Sequence, residues 1–187
     1  CENHGKLTIN IIDKNQTKNF YLGGISGSAN SYTVVSNCKN YGDFTFNTPN
    51  SGALVCMGGV IGYSAGEMTN CYNEGNISHI STDQLKGAIV AGIVGYQNAP
   101  ISGCINKGNI YNTGTMFGGR NSVGSIDGTK STSSAAPATV GVVAYCYNAT
   151  VDNCENYGEV FYNLTKADGS GTSGRTVVAG IVGSTWG

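Results

Sequence analysis

The sequence predicts an all-β protein, a parallel β-solenoid of about five coils with roughly one coil per 33-residue repeat. Three observations predict it. Two short motifs alternate five times along the chain. Within the first motif, small and apolar residues alternate with variable ones at the two-residue period of a strand. No stretch carries a sustained helical stripe.

The first motif is Cys-x-Asn-x-Gly, at Cys1–Gly5, Cys38–Gly42, Cys71–Gly75, Cys104–Gly108 and Cys154–Gly158, spaced by 37, 33, 33 and 50 residues. Two residues after each glycine stands an apolar side chain: Leu7, Phe44, Ile77, Ile110 and Val160. Three residues before each complete copy stands another: Val35, Met68, Ile101 and Val151. The second motif falls between successive copies, as Gly23-Gly-Ile-Ser-Gly27, Gly58-Gly-Val-Ile-Gly62, Ala91-Gly-Ile-Val-Gly95, Val140-Gly-Val-Val-Ala144 and Ala179-Gly-Ile-Val-Gly183.

Read as strand, the first motif turns its Cys, Asn, Gly and apolar positions to one face, and that face is expected to be the interior. Two structural columns follow: Cys1, Cys38, Cys71, Cys104 and Cys154, and Asn3, Asn40, Asn73, Asn106 and Asn156. An inward asparagine can hydrogen-bond its equivalent one coil away and so avoid an unsatisfied buried amide. The glycine after it is expected at a bend, where a positive φ or a close contact excludes a Cβ. The alternative architecture is a five-bladed propeller, whose blades run about 40–50 residues with four strands each. Here the unit holds two strand motifs, or three if the bend divides the first.

The alternation of Gly-Gly-Ile/Val-x-Gly with Ile-x-Asn-Cys-x-Asn-x-Gly-x-Ile resembles the GLUG-type repeats of large bacterial cell-surface proteins, which are similar to the right-handed parallel β-helices of filamentous adhesins. The resemblance covers almost the whole chain, Cys1 to Gly183. It implies a right-handed parallel β-helix, secretion, display at the cell surface, and an adhesive or spacer role. It supplies no catalytic residues. The chain departs from the pattern by carrying cysteine where such repeats often carry serine or another small residue.

Composition narrows the function classes. Glycine supplies 29 of 187 residues and asparagine 21, while 11% are charged against a typical ~25%. A net charge of −1 with ten Lys+Arg gives no footprint for nucleic acid or anionic lipid. The longest apolar run, near Ala88–Gly95, is too short for membrane insertion. Residues 1–187 read as a single solenoid segment, with insertions at 113–139 and 163–176. The first copy of the first motif lacks the preceding Ile-x-Asn, so the chain is expected to be an internal piece of a longer polypeptide, with flanking solenoid coils as partners.

Five of the seven cysteines share one column, and a ladder of free thiols is expected over disulfides, because parallel Cβ vectors give a poor disulfide torsion. Cys56 and Cys146 flank the second motif and are the candidate pair. Neither His4 nor His79 has metal-ligand spacing, so no metal and no cofactor is expected. Tyr63, Tyr96 and Tyr145 each follow the second motif at the same position. They should stack as an aromatic ladder, either a platform for sugar rings or packing at a coil corner. Arg120 and Arg175 lie one in each insertion, which should emerge from the same edge of neighbouring coils and could build a binding face. Gly169–Thr176 mimics a phosphate-binding loop, but a strand motif follows it instead of a helix. The sequons at Asn15, Asn76, Asn148 and Asn163 are as many as chance supplies.

Glycoside hydrolysis needs two carboxylates in one cleft. Here Asp43, Glu74 and Glu159 face outward and are interrupted by Asn76 and Asn109, with Lys6–Asp43 and Glu74–Lys107 expected as solvated cross-coil pairs. The chain is therefore expected to be a non-enzymatic structural or adhesive segment, extracellular or surface-displayed, with a host or cell-surface glycan or protein as partner. A carbohydrate-binding face is the alternative and a polysaccharide lyase or hydrolase the third reading.

Overall fold

A computed structural model describes residues 1–13, 19–49, 54–85, 88–116, 138–166 and 177–186. The chain winds through five parallel sheets in turn, completing four turns and most of a fifth. The first sheet stacks Glu2–Asn3, Lys39–Asn40, Tyr72–Asn73, Ile105–Asn106 and Glu155–Asn156. The second stacks Leu7–Asn10, Phe44–Thr48, Ile77–Leu85, Ile110–Met116 and Val160–Lys166. The third holds Phe20–Gly23, Val55–Gly58, Ala88–Ala91, Ala138–Val140 and Val177–Ala179, and the fourth Ser26–Ala29, Ile61–Ser64, Val94–Gln97, Val143–Tyr147 and Val182–Trp186. Val35–Ser36, Met68–Thr69, Ile101–Ser102 and Val151–Asp152 form the fifth.

Equivalent motif residues pair in register, Asn3 with Asn40, Asn40 with Asn73, Asn73 with Asn106 and Asn106 with Asn156. Parallel pairing of residues one repeat apart makes this a β-solenoid and excludes the propeller, whose blades pair antiparallel within a repeat.

The period-two reading has a simple cause in packing. Cys71, Asn73, Gly75 and Ile77 are buried, while Glu74 between them is exposed. The first and fifth sheets close on the fourth around Ile61, Met68, Cys71, Ile93, Ile101 and Cys104. The second sheet faces the third through Phe44, Phe46, Met57, Ile77, Val90 and Ile110. The opposite face of the third sheet is covered too, by tyrosines of the fourth. Burial on both faces explains why Ala88–Ala91 reads as an unbroken apolar run.

The left-handed corner lies elsewhere than the sequence suggests. Asn37, Asn70, Gly103 and Asn153 have φ of 53°, 52°, 63° and 47°. Each immediately precedes a motif cysteine, where the chain turns from the fifth sheet into the first. Asparagine and glycine are the residues that reach this region at least cost. The glycine after the motif asparagine has a different reason. A Cβ on Gly75 would lie 2.0 Å from the carbonyl oxygen of Gly42, so close coil contact excludes a side chain there.

Candidate functional site

The motif asparagines form a continuous interior ladder. Asn40 Nδ2 donates to Asn73 Oδ1 at 2.8 Å and to Gly42 O at 2.9 Å, and Asn73 repeats this toward Asn106 Oδ1 and Gly75 O. Each amide meets the second residue of the second motif, a glycine: a Cβ on Gly59 would lie 2.4 Å from Asn73 Cγ, and one on Gly92 2.3 Å from Asn106 Cγ. The two motifs thus interlock across the interior. Their recurrent polar groups are consumed in packing.

All seven cysteines are free thiols. Cys38, Cys71 and Cys104 are buried, Cys154 is half-buried and Cys1 exposed. Cys38, Cys71, Cys104 and Cys154 each direct Sγ at the carbonyl two residues back, at 3.3–3.5 Å. Hydrogen bonding with Cys154, then with Cys71, together with burial, holds the Cys104 thiol protonated. Cys56 and Cys146 face different cores, one against Tyr96 and Tyr145, the other against Ile101 and Val143. They are not partners. Burial alone pushes the Cys56 thiol well up.

The tyrosine column does stack: Tyr63 and Tyr96 rings lie 5.5 Å apart and within 10° of parallel, with Tyr21 tilted against Tyr63 at 5.4 Å. It lies inside, however. Tyr96 is 4% and Tyr145 1% exposed, packed against Cys56, Ile89, Ala138 and Val140 of the third sheet. Their ring faces are not offered to a sugar, because the third sheet covers them. Arg120 and Arg175 lie outside the described residues, as do most of the insertions and the whole of the phosphate-loop mimic. The described parts of the insertions, Thr113–Met116 and Asn163–Lys166, continue second-sheet strands and pair with each other.

An accessible aromatic cluster lies instead on the outward face of the first sheet. His4 stacks on Tyr41 at 4.6 Å and 14°, Tyr41 packs against Tyr72 at 5.9 Å, and Lys107 Nζ stands 5.6 Å over the Tyr72 ring. Tyr72 donates its hydroxyl to Glu74 Oε2 at 2.6 Å, which raises the phenol to about 12. Tyr157 bonds Glu155 in the same way. Lys107 therefore caps an aromatic ring and Glu74 accepts from a phenol, in place of the expected pair. Lys39 Nζ–Glu2 Oε1, at 3.5 Å, is the lysine–carboxylate pair among the described residues, so Lys6–Asp43 is not one either. A cleft of about 430 Å³ runs beside Tyr72, lined by Lys39, Tyr41, Asn70, Tyr72, Glu74 and Ile105.

Two polar features had no sequence reading. Asp43, Asn76 and Asn109 each accept, through the side-chain oxygen, the backbone N–H of the equivalent residue one coil on, at 2.9–3.0 Å. The asparagines that interrupt the acidic column are therefore members of an outer ladder. Inside the second sheet, buried His79 bonds Asn112 Oδ1 through Nδ1 at 2.8 Å, and Asn112 Nδ2 donates to Thr139 Oγ1 at 3.0 Å. Burial lowers the imidazole to about 4, although the Asn112 bond works the other way. Among the described residues no cluster of three His, Cys, Asp or Glu side chains could hold a metal.

The fold and its faces define a parallel β-solenoid repeat protein with a packed apolar interior threaded by an asparagine ladder, and an aromatic outer strip. No family model, no curated protein and no solved structure matches the chain.

Proposed function

We propose that this chain is a structural and adhesive repeat segment of a secreted or surface-displayed bacterial protein, of the GLUG-type repeat kind, acting as a stalk that presents an interaction face. One observation carries the reading. The Cys, Asn, Gly and apolar residues that recur from coil to coil point inward and are used in packing, while the outward positions vary. Recurrence spent on the interior suits a spacer whose repeats stack for length. Antibodies to this segment should label intact cells that express the full-length protein. Labelling seen only after permeabilisation overturns the reading.

A second reading, a carbohydrate-binding face, has its own observation in the open cleft beside Tyr72, with aromatic walls and Lys39 and Glu74 at the rim. Aromatic surface with a few flanking polar groups suits a sugar. On a glycan array, binding that Tyr72→Ala abolishes and deletion of residues 121–134 leaves intact supports it. Silence across the array removes it. The third reading, a polysaccharide lyase or hydrolase, has no observation in its favour among the described residues.

A further inference from the structure

The motif cysteines form a column with the spacing of metal–thiolate bonds. Cys38, Cys71, Cys104 and Cys154 share one orientation, each Sγ 3.3–3.5 Å from the carbonyl oxygen two residues back. Their coils stack in parallel and in register, with Tyr72 N donating to Cys38 O, Ile105 N to Cys71 O and Glu155 N to Cys104 O. Successive sulfurs therefore stand one strand spacing apart, about 4.8 Å. Two metal–thiolate bonds of about 2.3 Å laid end to end nearly span that gap. The inner pair, Cys71 and Cys104, is buried with a described coil on either side, so its geometry does not depend on how the chain continues.

Four surroundings of this pair suit a bound ion. Cys104 hydrogen-bonds with Cys71, so a proton lies between two sulfurs where a cation of the same charge can replace it. The backbone N–H of Cys71 donates to Cys104 Sγ at 3.4 Å, a contact that supports a sulfur carrying negative charge. Ile61, Met68, Ile93 and Ile101 pack around the pair and keep hard oxygen ligands away. There is also a way in, because Cys71 is among the residues lining the cleft beside Tyr72. Gly103 lines the same cleft, and it leaves the corner before Cys104 without the side chain that Asn37, Asn70 and Asn153 carry at the equivalent corners.

We propose that Cys71 and Cys104 form a binding site for a soft monovalent cation, copper(I), held in line between two thiolates inside the solenoid. Thiolate sulfur selects copper(I) over hard cations. Zinc takes four ligands in a tetrahedron, and among the described residues no group of three His, Cys, Asp or Glu side chains converges on one point. Copper(I) needs only the two sulfurs. On binding, two S–H bonds break, two S–Cu bonds form and two protons pass to solvent, with copper unchanged in oxidation state. The site goes beyond the stalk reading and does not rest on it.

The test is competition for copper(I), supplied without oxygen, between the 187-residue chain and a chromogenic copper(I) chelator. Cys71→Ser/Cys104→Ser and Cys56→Ser/Cys146→Ser each remove two of the seven free thiols, so the two double variants are matched in thiol number. The first should lose copper(I) affinity by more than about a hundredfold, beyond what the loss of an outer partner costs. The second should bind as the wild-type chain does. Copper K-edge absorption on the loaded wild-type chain should show two sulfurs in linear coordination, a readout that needs no variant to fold. Equal affinity in the two double variants overturns the proposal. So does a copper shell of three sulfurs or of nitrogen and oxygen, or a wild-type chain that yields all its copper to the chelator.

Discussion

Asn73 fills the space that Gly59 leaves: a Cβ on Gly59 would lie 2.4 Å from Asn73 Cγ and 2.1 Å from the carbonyl oxygen of Gly92. The two recurrent motifs are therefore one device seen from two sides. The amide supplies the hydrogen bonds and the glycine supplies the room. Gly59→Ala should destabilise the chain by about 3 kcal/mol or more, because backbone and a bonded amide must both move. Gly180→Ala, with open space at the same position, should change stability by less than about 0.5 kcal/mol. Urea denaturation of the two variants checks the contrast.

Removing a rung of the ladder tests the hydrogen bonds themselves. Asn73→Ala strips Asn40 Nδ2 of an acceptor, and Asn106 Oδ1 and Gly75 O of a donor, all inside the solenoid. Each orphaned group costs about 1–3 kcal/mol, so the variant should lose most of the stability of the middle coils. Asn3→Ala, at a half-exposed rung with a neighbour on one side, should cost much less. Hydrogen exchange would localise each loss to its own coil.

The buried imidazole makes stability pH-dependent in a known direction. As pH falls, the unfolded chain protonates His79 near 6.5, while the folded chain resists until about 4. The contribution is complete above the unfolded value and is lost progressively between the two, by about 3 kcal/mol in all. The stability difference between the wild-type chain and His79→Phe should therefore shift against wild type as pH drops through that window. An unchanged difference between pH 7.5 and pH 4 refutes the assignment.

Thiol accessibility follows the column. In native protein, iodoacetamide should modify Cys1 first and Cys154 next, with Cys38, Cys71 and Cys104 slow and Cys56 slowest. In denaturant without reductant, all seven should react. A mass short by two alkyl groups would reveal a disulfide.

Much of this architecture is legible in the chain because a strand's two-residue period carries Cys, Asn, Gly and Ile to one face. The corner was less legible. The eye goes to the glycine of Cys-x-Asn-x-Gly, yet the left-handed residues at this corner are Asn37, Asn70, Gly103 and Asn153. The exchange of Asn for Gly in that column is the signal that could have found them. Tyr96 and Tyr145 illustrate a different limit. Whether a residue on the far side of a strand meets water depends on whether another sheet covers it, which local periodicity does not encode. The apolar run at Ala88–Ala91, too long in apolar character for a one-sided strand, carried that information. The outer aromatic strip was hidden for the opposite reason. Tyr41 and Tyr72 occupy different positions of the motif and meet on a diagonal between neighbouring coils.

The string from His79 through Asn112 to Thr139 bears on folding fidelity. Because the cysteine, asparagine and glycine columns are alike in every coil, they reward pairing with a wrong neighbour as readily as with the right one. The second-sheet column that reads Ile9, Phe46, His79, Asn112 and Tyr162 differs at every level. A coil that skipped its neighbour would leave the imidazole and the amide of that string facing hydrocarbon, at several kcal/mol. The irregular residues inside the repeat thus act as addresses, telling otherwise interchangeable coils their order as the chain winds.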